Sequence, residues 1–299
     1  MKEKVHISDL FNHGLKGHNY YDFIDIPINQ DTKLFIDPLL IEIGEDLWCQ
    51  KIHSIIKSFN RELIKAYRKG SQDRKRELLT HAREQNGTRL GYGCGNNGKG
   101  NSAEGLLEIF SPLEEILNSI HTVEELTDLT ILLPGFAEDG LSDLITNVIH
   151  EQLNIFTSEQ LRIYEVENNV MKVFWTWDCE ALIWKRVERP AYIINNQEVL
   201  FVPKNIVRPR YLFSVNQYFS RIVLENARND YLKYDGTLMS KAEIIRNKRS
   251  TSPHWQYEEA LLYTKRNNSL LTEYHEKLPD FYRDNGGSMK DEALDKYIY

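Results

Sequence analysis

The residues best suited to chemistry lie in one acidic stretch near the middle of the chain. Glu138, Asp139 and Asp143 fall within the segment LPGFAEDGLSD, which also contains two glycines and a proline. Residues 129–133 are apolar and predict a short buried strand before this segment, and apolar residues at helical spacing predict a helix from Gly140 to Asn154 after it. A loop between a strand and a helix is a common place to present carboxylates to a metal ion or a substrate.

Polar side chains recur along one face of this predicted helix. Asp143, Asn147, His150 and Asn154 follow one another at steps of four, three and four residues, and Asp139 lies one turn earlier. Side chains at these steps are neighbours on a helix surface, and they offer the oxygen and nitrogen ligands that divalent cations accept. The pattern predicts Mg²⁺ or Mn²⁺ held by Asp139, Asp143 and Asn147, with Asp139, Asp143 and His150 as catalytic candidates.

A simpler interpretation of the acidic row stays open. Carboxylates in a first helical turn are favoured by the helix macrodipole, by about 0.3–1 kcal/mol each. Ser142 or Asp139 could serve only as the helix N-cap. His150 could equally be an exposed histidine without a chemical role.

A metal-dependent nuclease needs a further acid. Nucleases of the PD-(D/E)xK type place one acid at a strand end and a Glu-x-Lys pair on the next strand. Asp139 or Asp143 could be the first acid, and Glu165 or Glu167 could supply another, which makes Glu165 the fourth catalytic candidate. Lys172 does not stand at the required step, so the nuclease pattern is incomplete.

A glycine-rich stretch offers a place for phosphate. Seven of the 16 glycines lie in residues 87–105, ahead of a predicted helix. Backbone N–H groups at a helix N-terminus can cradle a phosphate, and the pattern predicts that Arg89, Gly98, Lys99 and Gly100 contact one. No Ser or Thr follows the lysine directly, so the stretch is not a P-loop. The alternative is a flexible surface loop or lid.

The C-terminal third carries positive charge interleaved with aromatic residues. Such a tract could contact phosphates and stack bases. The alternative is a solvated helix face with acidic partners elsewhere in the chain. The cations are Arg208, Arg210, Arg221, Arg228, Lys233, Lys241, Arg246, Lys248 and Arg249.

The surrounding elements are predicted from apolar periodicity. Residues 21–28 and 33–41 predict a β-hairpin, and residues 45–69 predict an amphipathic helix. Several β-rich segments lie between residues 170 and 202, and a long helix is expected over residues 255–278.

These elements predict an α/β or α+β fold, with a mixed β-sheet core flanked by helices and a helical C-terminal part. Three regions are distinguished, with boundaries at 1–125, 126–210 and 211–299. The first holds the hairpin, helices and glycine-rich loop, the second the acidic helix and β-rich core, and the third the C-terminal helices. One continuous domain is the alternative.

Composition limits the function classes. The 299 residues carry a net charge of −7, with 41% hydrophobic and 11% aromatic content, which favours a globular fold over disorder. Three cysteines without a CxxC pair exclude a cysteine-based zinc finger and fit a reducing compartment. No apolar leader and no run long enough to span a bilayer are visible. The sequence predicts a cytoplasmic protein without a membrane partner.

Four stretches together resemble a group of uncharacterised bacterial proteins of antiphage-defence and restriction loci. They are residues 34–38, 91–100, 139–143 with Thr146 and Asn147, and 199–204. The resemblance implies a defence role, and a nucleic acid or nucleotide as ligand. It carries over no catalytic residue.

The leading hypothesis is a bacterial antiphage-defence component that acts on nucleic acid as a metal-dependent nuclease. A separate hypothesis is a nucleotide hydrolase that uses the same acids on a small substrate. A protein partner from the same defence system is expected. The alternative is a non-catalytic sensor or adaptor subunit that binds a partner protein or a nucleotide.

Overall fold

A computed structural model describes residues 5–83, 86–92, 102–249 and 252–299. Helices dominate these ranges. The helices are α1 (Pro38–Glu42), α2 (Leu47–Arg68), α3 (Gln72–Thr80), α4 (Ala103–Ile109), α5 (Leu113–Ser119), α6 (Leu126–Leu132), α7 (Glu138–Val148), α8 (His150–Ile163), α9 (Val215–Tyr218), α10 (Leu224–Ala227), α11 (Lys241–Lys248), α12 (Trp255–Arg266), α13 (Ser269–Asp284) and α14 (Asp291–Ile298). A π-helical turn, Phe219–Val223, joins α9 to α10.

The strands are few and antiparallel, which confirms the α+β class. Their bounds are β1 (Phe35–Ile36), β2 (Val170–Asp178), β3 (Ile183–Ala191), β4 (Ile193–Ile194), β5 (Gln197–Glu198) and β6 (Val207–Arg208). In the described ranges they form three two-stranded ladders, β1 with β6, β2 with β3 and β4 with β5. The β-component is therefore smaller than the predicted mixed sheet, and helices supply most of the core.

Helix α2 forms where the sequence predicts a helix over residues 45–69. Asp46 caps its N-terminus by accepting a hydrogen bond from the Cys49 N–H at 2.8 Å. Its apolar stripe, including Ile52, Phe59 and Leu63, is fully buried. The opposite face is charged and exposed. This clear division into two faces is why periodicity identifies the helix.

The predicted hairpin of residues 21–28 and 33–41 is wrong. Phe35 and Ile36 pair with Arg208 and Val207 instead. The chain then turns into α1, because Pro38 occupies the first helical turn and the Asp37 carboxylate accepts from the Leu39 N–H at 3.0 Å.

The predicted strand at residues 129–133 is also wrong, since these residues belong largely to α6. Every residue of α6 is buried, including Thr127, Asp128 and Thr130. A short helix buried on all sides has no polar face, so its apolar run cannot be told from a buried strand by periodicity.

The predicted helix of residues 140–154 is two helices that meet at Ile149. The Thr176 hydroxyl lies at this junction. It donates to the Val148 carbonyl and accepts from the Glu151 N–H, both at 3.3 Å. A side chain from β2 thus satisfies backbone groups that the interruption leaves without helical partners.

The C-terminal helices pack against the rest of the chain. The helix predicted over residues 255–278 is two helices, α12 and α13. His275 of α13 lies 2.6 Å from the buried carboxylate of Asp128, and His18 lies 2.6 Å from Asp295 of α14. One hydrophobic core extends from Ile7 to Ile298.

The sequence also predicts free cysteine thiols and no membrane-spanning segment. Cys49 is a buried free thiol and Cys179 an exposed one, whereas Cys94 lies outside the described residues. None of the helices in the described ranges combines the length and apolar character needed to span a bilayer.

Candidate functional site

The candidate site is built around the short β1–β6 ladder. The Ile36 N–H donates to the Ser142 hydroxyl at 3.1 Å, which fixes α7 beside β1. On the other side, the Thr32 N–H donates to the Arg89 carbonyl at 2.8 Å, and the Gly91 N–H donates to the Thr32 carbonyl at 2.9 Å. These bonds place the start of the glycine-rich stretch next to α7.

Two predicted acids lie at this junction. Asp139 and Asp143 are one turn apart in α7, and both are partly exposed. A Cβ on Gly91 would lie 2.6 Å from Asp139 Oδ1, so this carboxylate is against the backbone of the glycine-rich stretch. Gly91 has a φ of +129°, a conformation that side chains with a Cβ rarely adopt.

The hydroxyl of Tyr211 lies beneath this pair of acids. It donates to the Ile36 carbonyl at 2.6 Å, and the Glu138 carbonyl lies 3.1 Å from the same oxygen. Burial raises the pKa of Tyr211 well above its ordinary value. The carboxylates of Asp37, Glu138, Asp143 and Asp139 act in the same direction. Negative charge is therefore concentrated around one buried hydroxyl.

Asp37 is the innermost of these acids and is fully buried. It accepts a hydrogen bond from the Tyr282 hydroxyl at 2.7 Å, in addition to the bond from the Leu39 N–H. Burial raises the pKa of Asp37 to about 6, although these two bonds and the charge of Arg208 lower it. The pKa of Asp37 therefore lies above the ordinary range of a carboxylate.

An aromatic and a cationic side chain flank the acids. Tyr92 is 48% exposed, and its ring lies 5.0 Å from that of Phe35. Burial, Glu138 and Asp139 raise the pKa of Tyr92, whereas the charge of Arg210 lowers it. Arg210 is exposed. An exposed ring with a neighbouring cation can stack a base and contact a phosphate.

No group of three or more His, Cys, Asp or Glu side chains in the described ranges is arranged to hold a metal ion. An ion at this junction would therefore take two protein carboxylates, from Asp139 and Asp143, and complete its shell with water and phosphate oxygens. Mg²⁺ commonly binds in this way, because it keeps several waters and uses only one or two carboxylates.

Comparison with known proteins gives one result. The chain matches a family model described as a domain of unknown function (DUF8370) over residues 14–214, more than half of its length. The chain belongs to the DUF8370 family. No curated protein and no solved structure matches it.

The DUF8370 segment contains almost all of the candidate site. The β1–β6 ladder, Gly91, the acids of α7 and Tyr211 all lie within residues 14–214. Tyr282, which binds Asp37, comes from α13 beyond the matched segment. The C-terminal helices therefore complete the surroundings of a DUF8370 residue.

Two other predicted site residues have structural hydrogen-bond partners. The Asn147 amide donates to the Arg83 carbonyl at 2.5 Å and to the Asp143 carbonyl at 2.9 Å, so its side chain links backbone segments. His150 is 3% exposed, lies 2.8 Å from Glu198 Oε2 and stacks on Phe174. The break at Ile149 turns His150 out of the predicted row, and both residues have structural partners.

Glu165 lies in a different place. It follows the C-terminus of α8 and lines a separate open groove of about 670 Å³, together with Glu167, Arg162 and Arg189. The acid proposed to complete a nuclease site therefore belongs to another surface of the DUF8370 segment.

The predicted phosphate-binding residues are only partly described. Arg89 donates to the side chain of Gln197, and its φ of +53° is unusual for a residue with a Cβ. Gly98, Lys99 and Gly100 lie outside the described residues. The structure thus describes the start of the glycine-rich stretch, at Gly91, and its position beside Asp139.

Sequence reasoning missed Tyr92, Tyr211 and Tyr282 as members of the site. Asp37, in the segment LFIDP, falls in the second strand of the predicted hairpin. The available signal was an acid directly before a proline, which is typical of a helix N-cap. Tyrosines give no comparable local signal, because their role here depends on contacts between distant parts of the chain.

Proposed function

We propose that this DUF8370 protein acts on nucleic acid as a component of bacterial antiphage defence. Its site is the junction of α7 with the glycine-rich stretch, and its setting is the bacterial cytoplasm, where a partner protein of the same system assists it. The observation that carries the proposal is the placement of Asp139 against Gly91, with Asp143 one turn further along α7.

The chemistry proposed for this junction is metal-assisted attack on a phosphodiester. Asp139 and Asp143 would hold Mg²⁺ or Mn²⁺, and such an ion would supply charge neutralisation on the phosphate and orientation of the attacking water. The exposed ring of Tyr92 stacks a base, and Arg210 contacts the adjacent phosphate. Asp37 and Tyr211 hold β1 and α7 in place beneath the acids through the contacts at Leu39, Ile36 and Glu138.

The test is cleavage of labelled DNA and RNA with Mg²⁺ or Mn²⁺ present, comparing the wild type with Asp139→Ala/Asp143→Ala. Loss of at least about 100-fold in rate is expected, because the metal ion supplies several kcal/mol of transition-state stabilisation. Glu165→Ala/Glu167→Ala is the matched control, since it removes two acids from the separate groove. Undiminished metal-dependent cleavage by the folded α7 variant would reject the site.

A second candidate function is that of a non-catalytic sensor or adaptor. The observation in its favour is that the ring of His150 is buried against Glu198 and Phe174, so it does not serve as a general base beside the acids. In that case the junction binds a nucleotide or a partner without turnover. Nucleotide with Mg²⁺ would then stabilise the protein by about 2.7 kcal/mol at 100 times its dissociation constant, and no substrate would be cleaved.

The same assays also distinguish a third candidate function. Turnover of free nucleotides without cleavage of DNA or RNA would identify a nucleotide hydrolase that uses the same two acids. A melting-temperature shift that Asp139→Ala/Asp143→Ala abolishes, without turnover of any substrate, would identify the sensor.

A further inference from the structure

The exposed face of α2 is strongly basic in a chain of net negative charge. Four cations of α2, together with Lys69 directly after it, line one groove of about 490 Å³, whose other wall is formed by residues 123–125. Among the residues that the structure describes, Ile64 and Val123 are its apolar lining. The five cations are Lys57, Arg61, Lys65, Arg68 and Lys69.

The spacing of these cations places four of them in a row along the helix. Lys57, Arg61, Lys65 and Lys69 follow at steps of four residues, so they lie along one side of the helix. At about 1.5 Å of rise per residue, the stripe is about 18 Å long. A single phosphate cannot contact a stripe of this length, whereas a polymer with regularly spaced charges can.

Much of this positive charge is not neutralised within the protein. Arg61 and Lys69 are exposed and form no ion pair with any residue that the structure describes. Arg68 donates to the carbonyls of His121 and Val123, which orients its guanidinium but leaves its charge uncompensated.

Within the described ranges, two of the five cations have acidic partners. Lys65 pairs with Glu62 at 2.8 Å, and Lys57 lies 4.0 Å from Glu125. The side chains of Lys65 and Lys57 remain about half exposed, at 51% and 53%, so both can also contact anions from the solvent. The five cations face two carboxylates in the lining, Glu124 and Glu125, so the groove presents an excess of positive charge.

We propose that this groove binds the phosphate backbone of nucleic acid. Its lack of aromatic residues does not favour a protein partner, because protein interfaces are enriched in aromatic residues and poor in lysine. The same lack means that bases are not read here, so the binding is independent of sequence. The assignment rests on the proposed function, because the groove would supply a surface that binds the nucleic-acid substrate.

The experiment measures binding of a fluorescein-labelled DNA duplex, longer than the stripe, by anisotropy in EDTA at several KCl concentrations. Wild-type affinity is expected to fall linearly in a log–log plot against salt. Arg61→Gln/Lys69→Gln should weaken binding by about tenfold or more, and should reduce the slope by about 2, because each phosphate contact contributes about 0.9. Glutamine is a good helix former, so α2 is retained.

The matched control is Lys290→Gln/Lys296→Gln, which removes two exposed charges at α14, outside the groove and outside the basic tract of residues 208–249. It should leave the affinity and the slope close to those of the wild type. Equal weakening by the control pair, or no binding by the wild type, would overturn the proposal. So would displacement of the duplex by poly-glutamate at the same charge concentration, since that result would indicate an acidic protein as the occupant.

EDTA removes the metal ion from this binding assay. The assay therefore tests the α2 groove independently of the metal site proposed at α7. Asp139→Ala/Asp143→Ala should bind the duplex normally in EDTA even though it has lost cleavage. Loss of cleavage by Arg61→Gln/Lys69→Gln at low substrate, with recovery at high substrate, is expected if the groove holds the backbone during reaction.

Discussion

The Tyr282 hydroxyl donates to the buried Asp37 carboxylate at 2.7 Å and so joins residues at opposite ends of the chain. The same hydroxyl accepts from the Leu212 N–H at 3.1 Å. Tyr282 itself is fully buried. Helix α13 is thereby connected both to the N-cap of α1 and to the segment that carries Tyr211.

Tyr282→Phe should destabilise the protein by about 2 kcal/mol, because both a buried carboxylate oxygen and a backbone N–H lose their partner. The measurement is urea unfolding at neutral pH. Tyr297→Phe is the control, since its hydroxyl donates to the Lys33 carbonyl at a site where Tyr297 is 41% exposed. The control should lose less than about 1 kcal/mol. Equal losses would show that the Tyr282 hydroxyl has no special role.

The pKa of Asp37 predicts how stability depends on pH. Burial raises this pKa from 3.8 to about 6 in the folded protein, so the folded state binds more protons than the unfolded state between these values. Stability from this group is therefore present below the unfolded value and is lost as pH rises through about 6. The loss is about 3 kcal/mol at most.

Asp37→Asn should remove this dependence, because an amide does not ionise. The variant carries a constant offset from its altered hydrogen bond to Tyr282, so the informative quantity is the change in the stability difference with pH. Unfolding free energies on both sides of the window should show the wild type losing stability relative to Asp37→Asn as pH rises. A difference that stays constant with pH would contradict the assignment.

Sequence periodicity succeeded where one element has two distinct faces. Helix α2 buries Ile52 and Phe59 and exposes Arg61, and this contrast is visible in the sequence alone. It failed for α6, where even Asp128 is fully buried. There the surroundings, and not the sequence pattern, decide between helix and strand.

In the candidate site too, spacing predicts the arrangement of residues that are close in sequence and misses contacts between residues that are distant in sequence. The spacing of Asp139 and Asp143 places them on one helix, as observed. The position of His150 depends on the break that Thr176 occupies, a residue of β2 that the spacing does not report. Tyr211 reaches the site through a two-residue ladder that pairs Phe35 with Arg208, a contact too short and too distant in sequence to leave a pattern.

His150 should prove structural rather than catalytic. Its ring lies between Glu198 and Phe174, and Lys172 also contacts Glu198, at 2.7 Å. Burial would raise the pKa of Glu198, but the bonds from His150 and Lys172 lower it below its ordinary value. Removing His150 therefore leaves a buried carboxylate with one partner fewer.

His150→Ala should lose about 3 kcal/mol of stability, since a buried carboxylate that loses a hydrogen-bond partner is costly. Lys172→Ala, at a position whose side chain is 32% exposed, should lose about 1 kcal/mol. Unfolding free energies and cleavage rates per folded molecule are the measurements. Full stability with lost cleavage in His150→Ala would restore the catalytic interpretation.

A substitution at Gly91 tests the effect on metal binding separately from the effect on stability. Gly91→Ala places a Cβ 2.6 Å from Asp139 Oδ1 on a backbone with a φ of +129°. The Asp139 side chain can rotate away, so the main cost is backbone strain of about 1–3 kcal/mol. The displaced carboxylate should weaken Mn²⁺ binding by about tenfold or more, as expected when a ligand is misplaced. Titration with Mn²⁺ followed by electron paramagnetic resonance measures the Mn²⁺ affinity.

Gly135→Ala is the control, because Gly135 also has a positive φ, of +91°, but no described atom lies within contact distance of its Cβ. It should show similar strain and unchanged Mn²⁺ affinity, and an equal loss of affinity in both variants would mean that the contact with Asp139 does not matter.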